Sequence, residues 1–271
     1  MVAQSPKTAQ PHGFKQVVST GSMAGLAVLT SRLGDDALIL CQRLCQWITR
    51  APTVEEDLAL SNIALDLIGH ARALLTLTGA LDGTGRSEDD FAYGRTDREF
   101  ANALLTELPA DDFAVLTARQ LAYSHYACLY YETLADGAHH ELASLAARAA
   151  KEAAYHRRYA DGWTLRLGLG TAYSARRMQA ALDLVWPYTA EPFDEDEVVA
   201  RLKAEGFAPS PASLHAVWQE RTADVVHRAG LTVPTPRWHA RGGRQGLHTE
   251  AFGALIAELQ SVRKQYPGGV W

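Results

Sequence analysis

The fold class of this chain is clearest from residues 54–81, VEEDLALSNIALDLIGHARALLTLTGAL. The apolar residues of this stretch follow the period of a helix, returning at steps of three and four residues. Thr53, with Glu56 three residues later, has the spacing of a capping box and predicts where the helix begins. The Asp-Gly pair at 82–83 predicts its end. The stretch is therefore predicted to form one long helix.

The helical period continues through most of the chain on both sides of this stretch. Residues 82–98 are rich in glycine and charge, so we expect a long surface connection there. No stretch shows the alternation of a half-buried β-strand, which predicts an all-α fold. The predicted helices, in chain order, cover residues 35–48, 54–81, 99–108, 112–134, 140–167, 174–189, 194–205, 210–229 and 247–265.

The order of these helices predicts two long helical hairpins joined by a long crossover, with smaller helices added after them. One long crossover between antiparallel pairs is the connectivity of ferritin-like bundles. A helical solenoid is the alternative, but the chain shows no repeat with a period of roughly 30 to 47 residues. We predict a flexible arm over residues 1–25, followed by a single ferritin-like antiparallel bundle with additional C-terminal helices over residues 26–271.

Composition restricts the class of protein. Lys and Arg number 26 and Asp and Glu 31, a formal net charge of −5, which gives no global reason to expect nucleic acid or an anionic membrane. No apolar run reaches the roughly 18 residues of a membrane helix, and the first twenty residues lack the apolar centre of a secretion signal. Three cysteines indicate reduced thiols, so we expect a cytoplasmic protein. Cys41 and Cys45, one helical turn apart, are interpreted as small buried hydrophobes rather than as a redox or metal pair.

Carboxylate and imidazole groups recur at matched places in the two hairpins. Asp66 and His70 lie on one predicted helix, and Glu152 and His156 lie on another. A spacing of four places each pair on one helix face. A di-iron site in a bundle needs one Glu from each of two helices and a Glu-x-x-His motif from each of the other two. The two pairs therefore invite comparison with such a site.

The comparison fails at two positions. If His70 and His156 are the histidines of the motif, Leu67 and Ala153 stand where its glutamates belong. A shift of one helical position rotates a side chain by about 100°, so the neighbouring acids cannot replace them. An intact metal site and an ordinary hydrogen-bonded pair are both alternatives. We favour a degenerate centre in which the remaining polar groups, with Asp35 of the first helix, bond each other where a metal would lie.

A basic, glycine-rich segment precedes the last predicted helix. Residues 241–248, RGGRQGLH, combine glycines that let backbone N–H groups turn toward an anion with two arginines that can bind phosphate. Arg241 and Arg244 are therefore candidates for binding an anionic ligand. The alternative is an ordinary turn before the helix.

Several long blocks of the sequence resemble one known family, in the same order and from about residue 25 to the end. The blocks are LGDDALIL (33–40), DLALSNIALDLIGHAR (57–72), KEAAYHRRYADGWTLRLGLGT (151–171), WPYTAEPFDEDEV (186–198) and GLHTEAFGALIAELQ (246–260). They resemble the C subunits of ring-1,2-phenylacetyl-CoA epoxidases, the PaaC family of phenylacetic acid degradation proteins.

The resemblance implies a ferritin-like subunit that pairs with a homologous A subunit, in which the di-iron centre lies. It implies a larger complex, including a reductase with FAD and an iron–sulfur cluster, that uses NADPH and dioxygen to epoxidise the aromatic ring of phenylacetyl-CoA. Subunits of this family are regarded as lacking a working metal site, with which Leu67 and Ala153 agree. We therefore expect a non-catalytic subunit without a cofactor of its own.

The expected partners are the A subunit, the other epoxidase subunits including the reductase, and phenylacetyl-CoA at the A–C complex, where Arg241 and Arg244 would contact the coenzyme A phosphates. Self-association into a homodimer is left open. Two alternative functions remain, an active di-metal oxygenase in its own right and a helical interaction protein unrelated to oxygen chemistry.

Overall fold

Helices make up the regular structure of the chain in a computed structural model that describes residues 20–267 and 269. No strand occurs among these residues, so the predicted all-α class is confirmed. In chain order the α-helices are α1 (Thr20–Cys45), α2 (Val54–Leu81), α3 (Glu88–Tyr93), α4 (Leu104–Glu107), α5 (Phe113–Leu134), α6 (His140–Leu169), α7 (Ala172–Val185), α8 (Glu197–Ala204), α9 (Pro211–Arg228), α10 (Glu250–Leu259) and α11 (Ser261–Gln265).

Helices α1 and α2 form the first antiparallel hairpin. The hydroxyl groups of Thr30 on α1 and Thr78 on α2 are 2.9 Å apart. Four residues after Thr30, Gly34 packs against Leu75 of α2. The prediction that the first helix begins at Asp35 is wrong, because α1 begins fifteen residues earlier and includes the end of the predicted arm. Buried leucines in its first half, which the sequence analysis did not use, explain the extension. The rest of the predicted arm, residues 1–19, lies outside the described residues.

The N-terminus of α2 is only partly as predicted. The Thr53 side chain accepts a hydrogen bond from the Glu56 backbone N–H at 3.4 Å, which confirms the predicted cap. The reciprocal half of a capping box is missing, because the Glu56 carboxylate instead accepts a hydrogen bond from Trp163 Nε1 at 2.6 Å. This bond joins α2 to α6 and so ties the two hairpins together.

Helices α5 and α6 form the second hairpin. The Asp112 side chain caps α5 by accepting a hydrogen bond from the Val115 N–H at 2.8 Å. α5 is the central helix of the molecule, since 18 of its 22 residues are buried. α6 packs on α5 and on α2, which completes the four-helix core of the ferritin-like bundle.

The crossover between the hairpins is more ordered than predicted. The predicted surface connection, residues 82–98, contains the short helix α3, which Ser87 and Asp90 close with a capping box. Phe91 of α3 is buried, because one face of this helix packs against α2. The helix predicted over 99–108 is shorter, since α4 is the α-helical part of this stretch and residues 97–99 form one turn of 3-10 helix.

The C-terminal helices cover the bundle from two sides. α7 packs on α5 and α6, α8 packs on α1, and α9 packs on α5 and α6. Their bounds lie close to the predicted ones, except that the helix predicted over 247–265 is divided at Gln260 into α10 and α11.

One helix among the described residues, α2, is long and apolar enough to cross a membrane by length and composition. The core helix of a soluble bundle meets the same criteria, and twelve residues of α2 are buried within this bundle.

Candidate functional site

The predicted polar centre lies at the contact between α2 and α6. His156 Nε2 lies 3.0 Å from Asp66 Oδ2, and His70 Nε2 is hydrogen-bonded to Glu152 Oε2. The interpretation that these groups bond each other agrees with the geometry. The pairs are crossed, however, since each histidine bonds the acid of the other helix rather than the acid on its own helix. Both hydrogen bonds therefore join the two hairpins.

The two histidines are far less accessible to water than their partners. The His70 and His156 side chains are 3% and 5% exposed, whereas those of Glu152 and Asp66 are 32% and 34% exposed. Burial lowers the pKa of His70, an effect that the adjacent Glu152 carboxylate opposes. Burial likewise lowers the pKa of His156 against the effect of Asp66. Both imidazoles are therefore neutral near pH 7, with the acids as acceptors of their N–H groups.

Apolar side chains occupy the positions that a di-iron centre needs for its motif glutamates. Leu67 and Ala153, three residues before His70 and His156, are buried, with exposed fractions of 2% and 1%. A bundle di-iron site also needs one carboxylate from each of the two other helices.

Those two helices direct no carboxylate to this point. The acidic residue of α5, Glu132, is exposed and accepts a hydrogen bond from Cys128 Sγ at 3.1 Å. The acids of α1, Asp35 and Asp36, bind arginines from other segments. No group of three or more His, Cys, Asp or Glu side chains in the described part of the chain is arranged to hold a metal ion. The residues present do not fit a di-iron centre.

A third histidine–carboxylate pair joins α5 to α6. His125 Nε2 lies 2.7 Å from Asp161 Oδ1, and the His125 side chain is only 3% exposed. The sequence analysis did not single out this pair, because its two members lie 36 residues apart on different helices. The polar face of α6 thus bonds imidazoles from both neighbouring helices.

Asp35 is not part of the α2–α6 centre, and its inclusion there was wrong. Its carboxylate is fully buried and binds the Arg95 guanidinium through both oxygens, and it accepts the Ala101 N–H at 2.9 Å. Its neighbour Asp36, also fully buried, accepts two hydrogen bonds from Arg244 at 2.8 and 2.9 Å. These two acids hold the crossover and the C-terminal segment against the middle of α1.

The glycine-rich segment does bind an anion, and the anion belongs to the chain itself. The N–H groups of Gly242 and Gly243 donate to Glu191 Oε1 at 2.8 and 2.7 Å. The second oxygen of Glu191 accepts the Leu104 N–H at 2.7 Å. Gly242 has φ of 125°, a conformation that favours glycine. The predicted backbone arrangement is therefore present, with a buried glutamate in the place of a phosphate.

Carboxylates also engage both candidate arginines of this segment. Arg244 binds Asp36 in the interior, and its side chain is 12% exposed. Arg241 binds Asp194 through two hydrogen bonds of 2.5 and 2.9 Å at the surface, where its side chain is 53% exposed.

A fourth buried acid completes the connection between the crossover and the C-terminal segment. Glu107 of α4 accepts hydrogen bonds from the Thr249 N–H at 2.6 Å and from Asn102 Nδ2 at 2.9 Å, and it bonds His248 Nδ1 at 2.7 Å. We call Asp35, Asp36, Glu107 and Glu191, with the groups that bond them, the crossover cluster. The sequence analysis missed Glu107, Glu191 and Arg95, because an isolated charged residue resembles a solvated one until its distant partners are known.

The cysteine pair differs from its predicted interpretation in one member. Cys41 is buried, as expected, but Cys45 is exposed at the last residue of α1. A hydrogen bond from Cys41 lowers the pKa of Cys45 to about 7. Cys128 is buried on α5.

Comparison with known proteins shows that the chain is similar to proteins of phenylacetic acid catabolism. A family model described as phenylacetic acid catabolic protein matches residues 15–271. The C subunit of the 1,2-phenylacetyl-CoA epoxidase of Escherichia coli (strain K12) is 42% identical over 249 residues, which cover 92% of this chain and 100% of that relative. The resemblance stated from the sequence blocks is thereby confirmed.

Proposed function

The chain belongs to the phenylacetic acid catabolic protein family, and from this membership we propose that it is the non-catalytic C subunit of a phenylacetyl-CoA epoxidase. In this role it stabilises a catalytic A subunit that holds the di-iron centre. The complex then uses NADPH electrons, delivered through FAD and an iron–sulfur cluster of a reductase. We propose a cytoplasmic complex, as suits a catabolic enzyme acting on a coenzyme A thioester.

One observation carries the non-catalytic part of the proposal. The groups nearest to a metal-binding arrangement are already paired, Asp66 with His156 and His70 with Glu152. A metal would have to displace both hydrogen bonds and would then meet Leu67, where a carboxylate is needed to neutralise its charge. The paired groups instead satisfy one another, as polar groups in a low-dielectric interior must. The chain therefore contributes shape and surface to the complex.

The test is reconstitution. The chain should be purified alone and also co-expressed with the A subunit and reductase of the same epoxidase. We expect epoxidation of phenylacetyl-CoA only when the A subunit is present, and a large loss of activity or of soluble A subunit when this chain is omitted. About two irons per purified chain, with oxygen consumption in the absence of other subunits, would instead support an active di-metal oxygenase.

A contact with the coenzyme A phosphates is a further part of the proposal, and we restrict it to Arg241. Arg244 is enclosed with Asp36, whereas the Arg241 side chain is half exposed beside the glycine-rich turn. The Arg241→Ala variant should raise the KM for phenylacetyl-CoA in the assembled complex while leaving kcat nearly unchanged. An unchanged KM would remove this contact and leave the structural role intact.

A further inference from the structure

The surface between α2 and α6 combines features that the packing of this chain does not explain. On α2, Leu58 and Leu65 are 60% and 66% exposed, and on α6 Tyr155 is 40% exposed. The leucines lie seven residues apart, close to two helical turns, and so share one side of α2. Monomeric proteins seldom leave such large apolar side chains grouped in the open.

Two glycines lie on the same sides of these helices. Gly69 follows Leu65 by four residues, and Gly162 follows Tyr155 by seven. Leu58, Leu65 and Gly69 therefore form one row along α2, and Tyr155 and Gly162 form another along α6. The rows flank the partly exposed acids Asp66 and Glu152, which join the two helices through their histidines. We call Leu58, Leu65, Gly69, Tyr155 and Gly162, with the exposed cations Arg148, Lys151 and Arg158 of α6, the outer face.

The glycines of the outer face differ from most other glycines within the helices. A Cβ added at Gly34 would lie 2.8 Å from Leu75, and one added at Gly79 would lie 2.0 Å from the Arg86 carbonyl oxygen, so internal packing requires glycine at both positions. A Cβ added at Gly69 or Gly162 would meet nothing within 4 Å. Glycine inside a helix is less stable than alanine, and beside the exposed apolar side chains of both rows these two glycines favour the close approach of another backbone.

The charges of the outer face indicate what approaches it. Arg148, Lys151 and Arg158 are exposed on α6, and none of them forms an ion pair with another described residue. The nearby acids Asp66 and Glu152 bond neutral histidines and keep their negative charge, so three cations stand against two carboxylates. A local excess of positive charge therefore borders the apolar rows, although the chain as a whole carries a formal charge of −5.

We infer that the outer face docks a helix of the A subunit of the epoxidase. Apolar side chains of that helix lie over Leu65 and Tyr155, and its acidic side chains lie opposite Arg148 and Lys151. This inference rests on the proposed function, which supplies the partner. Complementary charge favours such an occupant. A second copy of this chain is disfavoured, because a symmetric contact would bring two α6 rows of unpaired cations together. The glycines allow the two helix backbones to approach closely.

The inference can be tested on the co-expressed complex. Gly69→Leu adds a large side chain on the outer side of α2, at a position where the added Cβ meets nothing within 4 Å in the free chain. We expect it to weaken binding of the A subunit about thirtyfold or more, as expected for a change at the centre of an interface. The double variant Arg148→Glu with Lys151→Glu should weaken binding similarly, and by less at high salt.

Two matched variants serve as controls. Gly253→Leu adds the same bulk at another open helical glycine, on α10, and Lys264→Glu reverses a charge on α11. Both should bind the A subunit within about threefold of the unmodified chain. Circular dichroism and thermal unfolding of each free variant separate lost folding from lost binding.

The outcomes are distinct. If the unmodified chain binds the A subunit and the Gly69→Leu and charge-reversed variants bind equally well, the inferred face is wrong and the proposed function stands. If the unmodified chain binds no other subunit, the proposed function fails first. If the purified chain alone forms a dimer that Gly69→Leu dissociates, the occupant is a second copy and the inference is overturned.

Discussion

The crossover cluster and the α2–α6 contact both place carboxylates inside a helical bundle. The two regions differ in how the hydrogen-bonding requirements of these carboxylates are met. Asp36 and Glu191 are 0% and 3% exposed, and each accepts hydrogen bonds from three or more donors on distant segments. Asp66 and Glu152 keep about a third of their side-chain surface in water, and each bonds one histidine. A fully buried charge requires a complete set of protein donors, whereas a partly exposed one obtains the rest from solvent.

This difference indicates that one region serves folding and the other serves assembly. The crossover cluster joins α1 to segments sixty and more than two hundred residues away, so it fixes how the crossover and the C-terminal segment lie on the bundle. The α2–α6 contact joins two helices that already pack and borders a surface open to a partner. Damage to the first region should therefore affect folding, and damage to the second should affect assembly.

The largest expected effect comes from breaking the crossover cluster. Arg244→Met leaves the buried Asp36 carboxylate without its guanidinium partner, and we expect a loss of about 3–5 kcal/mol in the free energy of unfolding. Urea unfolding measures it. The control is Arg241→Met, which removes an exposed ion pair and should lose less than about 1 kcal/mol. Similar losses in the two variants would contradict the argument that a buried carboxylate depends more on its protein donors than an exposed one.

A smaller effect is expected at the α2–α6 contact. His70→Ala removes the partner of Glu152, but that carboxylate can turn to water, so we expect a loss of about 1–3 kcal/mol in the free energy of unfolding. Replacing both members, His70→Phe with Glu152→Leu, should recover part of this loss because no polar group is left unpaired. A loss as large as that of Arg244→Met would show that the two regions contribute equally to the free energy of unfolding.

Sequence reasoning reached one of these regions and missed most of the other. The hairpins and the α2–α6 residues were predictable, because spacing within a helix determines which residues share a face. Arg95 and Glu191 were not, since their partners lie 60 and about 50 residues away and only the tertiary fold brings them together. The same limit explains the crossed pairs. A spacing of four indicated that Asp66 faces His70, but the packing of α6 decided that it bonds His156.

The stability of the chain should depend on pH through the two buried histidines of the α2–α6 contact. Burial lowers the pKa of His70 and His156, so the unfolded chain binds more protons than the native chain between its histidine pKa of about 6.5 and the lower native values. Stability must therefore fall as the pH decreases through this window, by up to about 1.4 kcal/mol per pH unit for each histidine. Urea unfolding at pH 7.5, 6.5 and 5.5 measures the slope. The double variant His70→Phe with His156→Phe should lose this contribution, and an unchanged slope would assign it to other groups.

The smallest expected effect separates packing within the chain from packing against a partner, using two glycines of the same helix. Gly79 lies where α2 meets the crossover, and an added Cβ would lie 2.0 Å from the Arg86 carbonyl oxygen, so Gly79→Ala should destabilise the chain. Gly69 lies on the outer face, where an added Cβ meets nothing within 4 Å. Gly69→Ala should therefore stabilise the free chain by about 0.5–1 kcal/mol, because alanine is the better helix former. Thermal unfolding of the purified variants measures both changes. A destabilised Gly69→Ala variant would mean that the chain itself requires this glycine, and the argument for a closely approaching partner helix would lose its main support.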